Sequence, residues 1–132
     1  MSKFTAIAAF LGFLGVMLGA FGAHGLEERL AANGHLDTWE TATLYLFVHA
    51  IALLTLSALS GSLASKSLRL VGYFWIAGVI VFSGSLYILA LSNFTKLGMI
   101  TPLGGLCFLL GWLLLALCGL KGPKSDFETS QE

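Results

Sequence analysis

Four long apolar stretches, separated by shorter polar segments, form the main pattern along the chain. Each has about the 20 residues that an α-helix needs to cross the hydrocarbon core of a bilayer, and none contains Asp, Glu, Lys or Arg. They cover residues 4–23, 41–64, 70–91 and 100–120. The pattern therefore predicts an all-α integral membrane protein, with one transmembrane domain over residues 1–120 and a polar cytoplasmic tail over residues 121–132.

The polar connections are short, and short connections join helices that are antiparallel neighbours. We therefore predict an up-down-up-down four-helix bundle. The first connection, residues 24–40, is the longest, and its segment 26–33 has the pattern of a short amphipathic helix that stops at Gly34. We expect this helix to lie in the first outer loop, against one end of the bundle.

Lys and Arg residues are distributed unevenly between the two ends of this predicted bundle. Both termini and the second connection share one end, because the number of spans is even. That end carries Lys3, Lys66, Arg69, Lys121 and Lys124. The other end carries only Arg29 and Lys96, so the positive-inside rule predicts that both termini lie in the cytoplasm.

The composition favours lipid over water as the main surroundings of the chain. Of the 132 residues, 57% are hydrophobic and 11% are charged, whereas soluble domains carry about 25% charged residues. The formal net charge is zero and there is no long basic run, so we expect no nucleic-acid partner. The expected partners are the lipid bilayer and either further copies of the chain or another membrane protein.

The first apolar stretch has a second interpretation. A basic residue, an apolar run and then small residues near Ala23 resemble a secretory signal peptide. The run is longer than a typical signal core, so we interpret it as the first membrane helix.

Glycines recur on one face of this first helix, and small residues let helix backbones approach closely in lipid. The stripe consists of Gly12, Gly15, Gly19 and Gly22. It predicts close packing inside the bundle, with a subunit interface as the alternative. Gly104 and Gly105, at the start of the fourth helix, are further packing candidates.

Polar residues within apolar stretches are costly in a membrane and are therefore candidates for function. The one ionisable residue of this kind is His49, and Tyr45 lies one helical turn before it on the same face. Helix rise places Ser83 and Ser85 at a similar depth. The candidate residues of this polar layer are His49, Tyr45, Ser83, Ser85, His24 and Thr101. Whether His49 fixes helix register or binds a ligand, proton or ion stays open at this point.

Cofactor and catalytic motifs are weak in this sequence. His24 and His49 lie at different depths, which disfavours a bis-histidine haem site, and a zinc site on His24 and His35 lacks a tight spacing motif. The chain has no phosphate-binding loop and no carboxylate pair inside the spans. We therefore expect no cofactor, no metal and no enzymatic activity.

Several short motifs, spread in order along nearly the whole chain, resemble those of a known family. They are Gly19-Ala-Phe-Gly-Ala-His-Gly25, the Trp39, Ala42, Tyr45 and His49 series, Phe82-Ser-Gly-Ser-Leu-Tyr87, Thr101-Pro-Leu-Gly-Gly105, and Gly111-Trp112. Together they resemble the domain of unknown function 423 (DUF423), whose animal relatives are called transmembrane protein 256. The resemblance implies a small polytopic membrane protein, in bacteria of the cytoplasmic (inner) membrane, with no settled activity.

The functional expectation is a non-enzymatic binding or assembly protein that uses the polar layer in the outer leaflet. The alternative is a subunit of a small oligomeric channel or transporter, in which His49 is the residue that gains and loses a proton. A polar layer at one depth is compatible with either function.

Overall fold

The computed structural model describes residues 3–59 and 66–120, which are almost entirely helical and contain no β-strand. Six α-helices follow one another: α1 (Lys3–Ala20), α2 (Glu27–Ala32), α3 (Leu36–Leu59), α4 (Lys66–Gly78), α5 (Gly84–Ser92) and α6 (Thr101–Leu120). A π-helical turn, Phe21–Gly25, extends α1, and a second one, Val79–Ser83, joins α4 to α5. A 3₁₀-helix, Thr95–Met99, precedes α6.

Four continuous helical stretches are long and apolar enough to cross a membrane, so the predicted all-α, four-span class is confirmed. They are Lys3–Gly25, Leu36–Leu59, Lys66–Ser92 and Thr95–Leu120. Three of them begin four or five residues before the charge-free runs, at Leu36 instead of residue 41, at Lys66 instead of residue 70 and at Thr95 instead of residue 100. Charged residues are readily accommodated in the first turns of these helices, where their side chains are exposed. Residues 60–64 of the predicted second span and the predicted tail lie outside the described residues.

Helix α1 packs against α3 and runs in the opposite direction. Near the start of α1, the hydroxyl oxygens of Thr5 and Ser57 are 3.1 Å apart. Near its end, the indole Nε1–H of Trp39 donates to the carbonyl of Leu18 at 2.9 Å. These two hydrogen bonds join opposite ends of the two helices and therefore fix their relative register.

The other neighbours are also antiparallel. The start of α3 meets the end of α5, where the hydroxyl oxygens of Thr43 and Tyr87 are 2.9 Å apart. The start of α6 meets Ser85, whose hydroxyl oxygen is 2.8 Å from that of Thr101. Further along α6, Phe108 meets Gly78 and Gly111 meets Trp75, so α6 runs opposite to α4. Helices α3, α4 and α5 therefore form the centre, with α1 packed on α3 and α6 packed on α4.

The central core draws side chains from α1, α3, α4, α6 and the second π-helical turn. It contains Phe4, Ala8, Leu46, Leu53, Leu56, Leu68, Val71, Trp75, Val79 and Phe108. Helix α6 contributes only a narrow buried stripe, Gly104, Phe108 and Gly111, whose spacing of four and three residues defines one helical face. Most of the remaining surface of α6 is apolar and exposed, as expected for a helix in contact with lipid.

The first connection packs against the end of α5 and is hydrogen bonded to it. Leu30 of α2 is fully buried beside Trp39 and Ala90, while its neighbours on α2 are exposed. The guanidinium of Arg29 donates to the Leu91 carbonyl at 2.8 Å, and the side-chain amide of Asn33 donates to the Ala90 carbonyl at 3.1 Å. These bonds satisfy carbonyls in the last turn of α5, which have no partner within their own helix.

Helices α4 and α6 interlock through an aromatic–glycine zipper, in which aromatic residues of one helix lie against glycines of the other. The Phe108 ring lies on Gly78 and the Trp75 ring lies on Gly111, whereas Gly104 lies against the backbone and Cβ of Phe82, in the turn after α4. A Cβ built on Gly111 would be 2.6 Å from the Trp75 indole. A methyl group at any of these glycines would therefore push the helices apart.

The α1–α3 contact also places glycines against larger side chains, and all of these glycines lie on α1 or in the π-helical turn that extends it. Gly22 lies against the Trp39 indole, Gly15 against Leu46 and Phe47, and Gly19 against Thr43. Gly12 has no described atom within 4 Å of the position that a Cβ would occupy. Three of the four glycines in the predicted stripe thus lie at a contact within the chain.

We predict that Gly111→Ala lowers the free energy of unfolding, because the added methyl group overlaps the Trp75 ring. Overpacking of this kind costs about 1 to 3 kcal/mol. Gly119→Ala is the matched control, since Gly119 is on the same helix with no described atom near its Cβ position. Unfolding in bicelles measures both variants. Equal stability of the two variants would contradict the close contact between Trp75 and Gly111.

Candidate functional site

His49 of α3 lies inside the bundle, with only 3% of its surface exposed. Its Nδ1 is 2.8 Å from the carbonyl oxygen of Tyr45, one turn earlier in the same helix. The indole Nε1–H of Trp112, on α6, donates to its Nε2 at 3.2 Å. A carbonyl can only accept and an indole N–H can only donate, so these partners specify the neutral ring with its proton on Nδ1.

The His49 ring is also held by aromatic rings. Phe108 stacks on it with ring centroids 3.6 Å apart and an angle of 13° between the planes. Trp75 and Trp112 approach it edge-on, with centroids 6.2 and 6.1 Å away. Phe108 and Trp75 are both members of the zipper, so the contact between α4 and α6 positions the rings that enclose His49.

The residues of the predicted polar layer separate into small groups. Ser85 pairs with Thr101, whereas His49 pairs with Trp112 and with the Tyr45 backbone. The hydroxyl of Ser83 is buried and has no hydrogen-bond partner among the described residues. His24 is exposed in the π-helical turn that follows α1 and makes no described contact with the others.

Trp112 was not predicted as a partner of His49, because α3 begins at Leu36, five residues before the predicted start of the second span. Counted from Leu36, His49 is about 20 Å along its helix, and Trp112 is about 16 Å from the start of α6. Counting from residue 41 or 42 instead places His49 too close to the membrane surface and too far from Trp112. The Gly111-Trp112 motif was the available signal.

A groove runs along the seam between α3 and α6, next to His49. Its first part has a volume of about 500 Å³ and includes Tyr45, His49, Phe82, Gly105, Leu109 and Trp112 in its lining. A second part of about 290 Å³ continues past Trp112 towards Leu59 and Leu115. The outer rim is apolar, and the floor is formed by the aromatic rings around His49.

The polar groups near the α2 end do not form a metal cluster. No group of three or more His, Cys, Asp or Glu side chains comes together within residues 3–59 and 66–120. His35 is hydrogen bonded to the side chain of Asn93, with Nε2 and Oδ1 2.9 Å apart. Cys107 and Cys118, both partly buried, are free thiols.

We predict that His49 and Trp112 are energetically coupled, because each supplies the other's hydrogen bond between α3 and α6. A double-mutant cycle with His49→Phe and Trp112→Phe should give a coupling free energy of about 0.6 kcal/mol, the average for bonds between membrane helices. Unfolding in bicelles supplies the four free energies. A parallel cycle with His49→Phe and Trp39→Phe is the control, because Trp39 bonds Leu18 instead. Equal coupling in both cycles would contradict the bond.

The four apolar spans and the paired polar groups inside them define a small multi-pass membrane protein. The family model described as "Protein of unknown function (DUF423)" matches residues 18–105. The chain therefore belongs to the DUF423 family, which confirms the resemblance inferred from its motifs.

Bacterial relatives cover nearly the same length. UPF0382 membrane protein SSP2132 of Staphylococcus saprophyticus is 44% identical over 92% of this chain and 99% of its own. UPF0382 membrane protein YwdK of Bacillus subtilis is 38% identical over 92% of this chain and 98% of its own. A UPF0382 membrane protein of Staphylococcus epidermidis is 41% identical over the same shares. No solved structure gives a significant match.

Proposed function

We propose that this chain is a non-enzymatic binding or assembly protein of the bacterial cytoplasmic membrane. Its binding surface in this proposal is the groove between α3 and α6. The observation that carries the proposal is the groove itself, which opens directly beside a buried, hydrogen-bonded histidine. Ligand sites in proteins are typically concave, largely apolar and supplied with a few fixed polar groups, and volumes of about 300 to 1,000 Å³ are usual.

The orientation proposed for the chain has both termini in the cytoplasm. Lys3, Lys66 and Arg69 lie at the end of the bundle opposite α2, whereas Arg29 and Lys96 lie at the α2 end. The described residues therefore keep the bias on which the positive-inside rule depends. In this orientation, the end of the groove at Tyr45 and Pro102 belongs to the outer leaflet.

The contacts of His49 favour binding over proton transfer. A histidine that relays protons exchanges them at both ring nitrogens with groups that can pass them on. Here Nδ1 faces a backbone carbonyl and Nε2 faces an indole N–H, and neither group hands a proton onward. A proton added to Nε2 would face the Trp112 donor and remove the bond that joins α3 to α6. A channel or transporter subunit with His49 as its titrating residue is therefore the less favoured function.

A photo-crosslinking amino acid placed at Leu109 or Leu113 tests the binding surface in native membranes. Both positions are exposed on α6, but only Leu109 lines the groove. We expect discrete adducts from position 109 and only diffuse labelling from position 113, because a bound ligand occupies the groove. Mass spectrometry identifies the adducts.

Two results would contradict the proposal. One is the same diffuse labelling from both positions, which would leave the groove without a specific occupant. The other is proton or ion flux through vesicles containing the wild-type protein that disappears in the His49→Phe variant. That second result would establish the channel or transporter function instead.

A further inference from the structure

The shape of the α3–α6 groove indicates what class of ligand it takes. Trp112 crosses the seam to reach His49, so the floor of the groove is closed. The two parts of the groove follow one another along α3, from Tyr45 past Trp112 to Leu59. An elongated apolar space of this kind matches the shape of a single hydrocarbon chain.

The volume of the groove also suits a hydrocarbon chain. Its first part is about 500 Å³, and ligand sites are usually about 300 to 1,000 Å³. Leu106, Leu109 and Pro102 form an apolar rim around an aromatic floor of Phe82 and Phe108. Ring faces and aliphatic side chains make only dispersion contacts with such a chain, so they complement its apolar surface.

One end of the groove supplies a polar group to an amphipathic ligand. Tyr45 lines the groove with 40% of its surface exposed, and its hydroxyl has no hydrogen-bond partner among the described residues. The Tyr45 ring is fixed between Phe82, with centroids 4.5 Å apart, and Phe108, with centroids 5.8 Å apart. A hydroxyl on a fixed ring is suited to donate to a ligand carbonyl at a set position.

Glycine at position 105 keeps the groove open. A Cβ built on Gly105 would touch only the edge of Phe82, at 4.0 Å, so a larger side chain has room to extend into the groove. Its neighbour Gly104 differs, because a Cβ there would meet the backbone of Phe82. Gly104 therefore serves the packing of α6, whereas the missing side chain of Gly105 leaves space for a ligand.

We propose that the α3–α6 groove binds one acyl chain of a glycerolipid from the surrounding bilayer, with the Tyr45 hydroxyl donating to an ester carbonyl of that lipid. This inference rests on the proposed binding function and names the ligand class. His49 acts in it as a fixed part of the groove floor. The lipid is held as a resident ligand, distinct from the lipids that exchange freely around the bundle.

The test uses the full chain in nanodiscs of phosphatidylethanolamine that contain a trace of phosphatidylglycerol with a photoreactive acyl chain. Wild type, Gly105→Leu, Tyr45→Phe and the control Gly12→Leu are compared. Gly12 suits the control, because it is a membrane-helix glycine on α1 with no described atom near its Cβ position. Thermal unfolding of each variant checks that it is folded. Peptide mapping then locates the crosslinks, and titration gives the apparent affinity.

We expect wild-type crosslinks to concentrate on the groove residues of α3 and α6. Gly105→Leu should reduce them at least tenfold by filling the groove, and Gly12→Leu should leave them unchanged. Tyr45→Phe should weaken the lipid about fivefold, the effect of losing one net hydrogen bond. The positions of the wild-type crosslinks test the proposal by themselves, even if one of the variants fails to fold.

Crosslinks spread evenly over all lipid-facing helices would overturn the lipid proposal, as would equal labelling of Gly105→Leu and Gly12→Leu. If either result were accompanied by a discrete protein adduct from position 109 in native membranes, the groove would bind a partner protein instead of a lipid. The proposed binding function would then still hold. Diffuse labelling from position 109 as well would remove both proposals.

Discussion

Close contact between aromatic residues and glycines sets the geometry of the whole bundle. In lipid the hydrophobic effect does not drive helices together, so their association relies on close packing and on hydrogen bonds between them. Trp75, Phe82 and Phe108 meet Gly111, Gly104 and Gly78 across the α4–α6 contact, and Trp39 meets Gly22 across the α1–α3 contact. These fits set the distance and the register between neighbouring helices.

The same contacts position the candidate site. Phe108 reaches the face of His49 because Gly78 leaves room behind it, and Trp75 reaches the edge of His49 because Gly111 does the same. The Trp112 indole then completes the hydrogen bonding of the imidazole. A buried polar ring with all its partners supplied by the protein rigidifies its surroundings. The groove beside His49 therefore has a fixed floor.

Much of the fold could be predicted because the thickness and low polarity of the bilayer dictate how long an apolar run must be and exclude charged residues from it. Four charge-free runs were enough to define four spans, and the motifs were enough to identify the DUF423 family. The apolar runs did not reveal that α3 and α4 begin several residues earlier, because the first turns of these helices contain charged residues. That error carried over to depth, so Trp112 was not recognised as the partner of His49.

The candidate site was less predictable for a further reason. Depth along a helix shows which residues can meet, but rotation about the helix axis decides which ones do. Ser85 turns towards Thr101, and Ser83, two residues earlier, turns into the core without a described partner. Gly104 and Gly105 are adjacent in sequence, yet one packs against Phe82 and the other faces the groove. The faces taken by Ser83 and Ser85 also follow from the π-helical turn at Val79–Ser83, which shifts the helical faces and has no clear sequence signature.

Aromatic rings that lie on glycines hold the bundle together and enclose His49. Nuclear Overhauser effects between glycine Hα protons and aromatic ring protons, measured in isotopically labelled protein in nanodiscs, detect these contacts. We expect strong cross-peaks from Gly78 to Phe108 and from Gly111 to Trp75, with ring-current shifts of both glycines. Glycine Hα signals without these cross-peaks and with ordinary helical shifts would rule the contacts out.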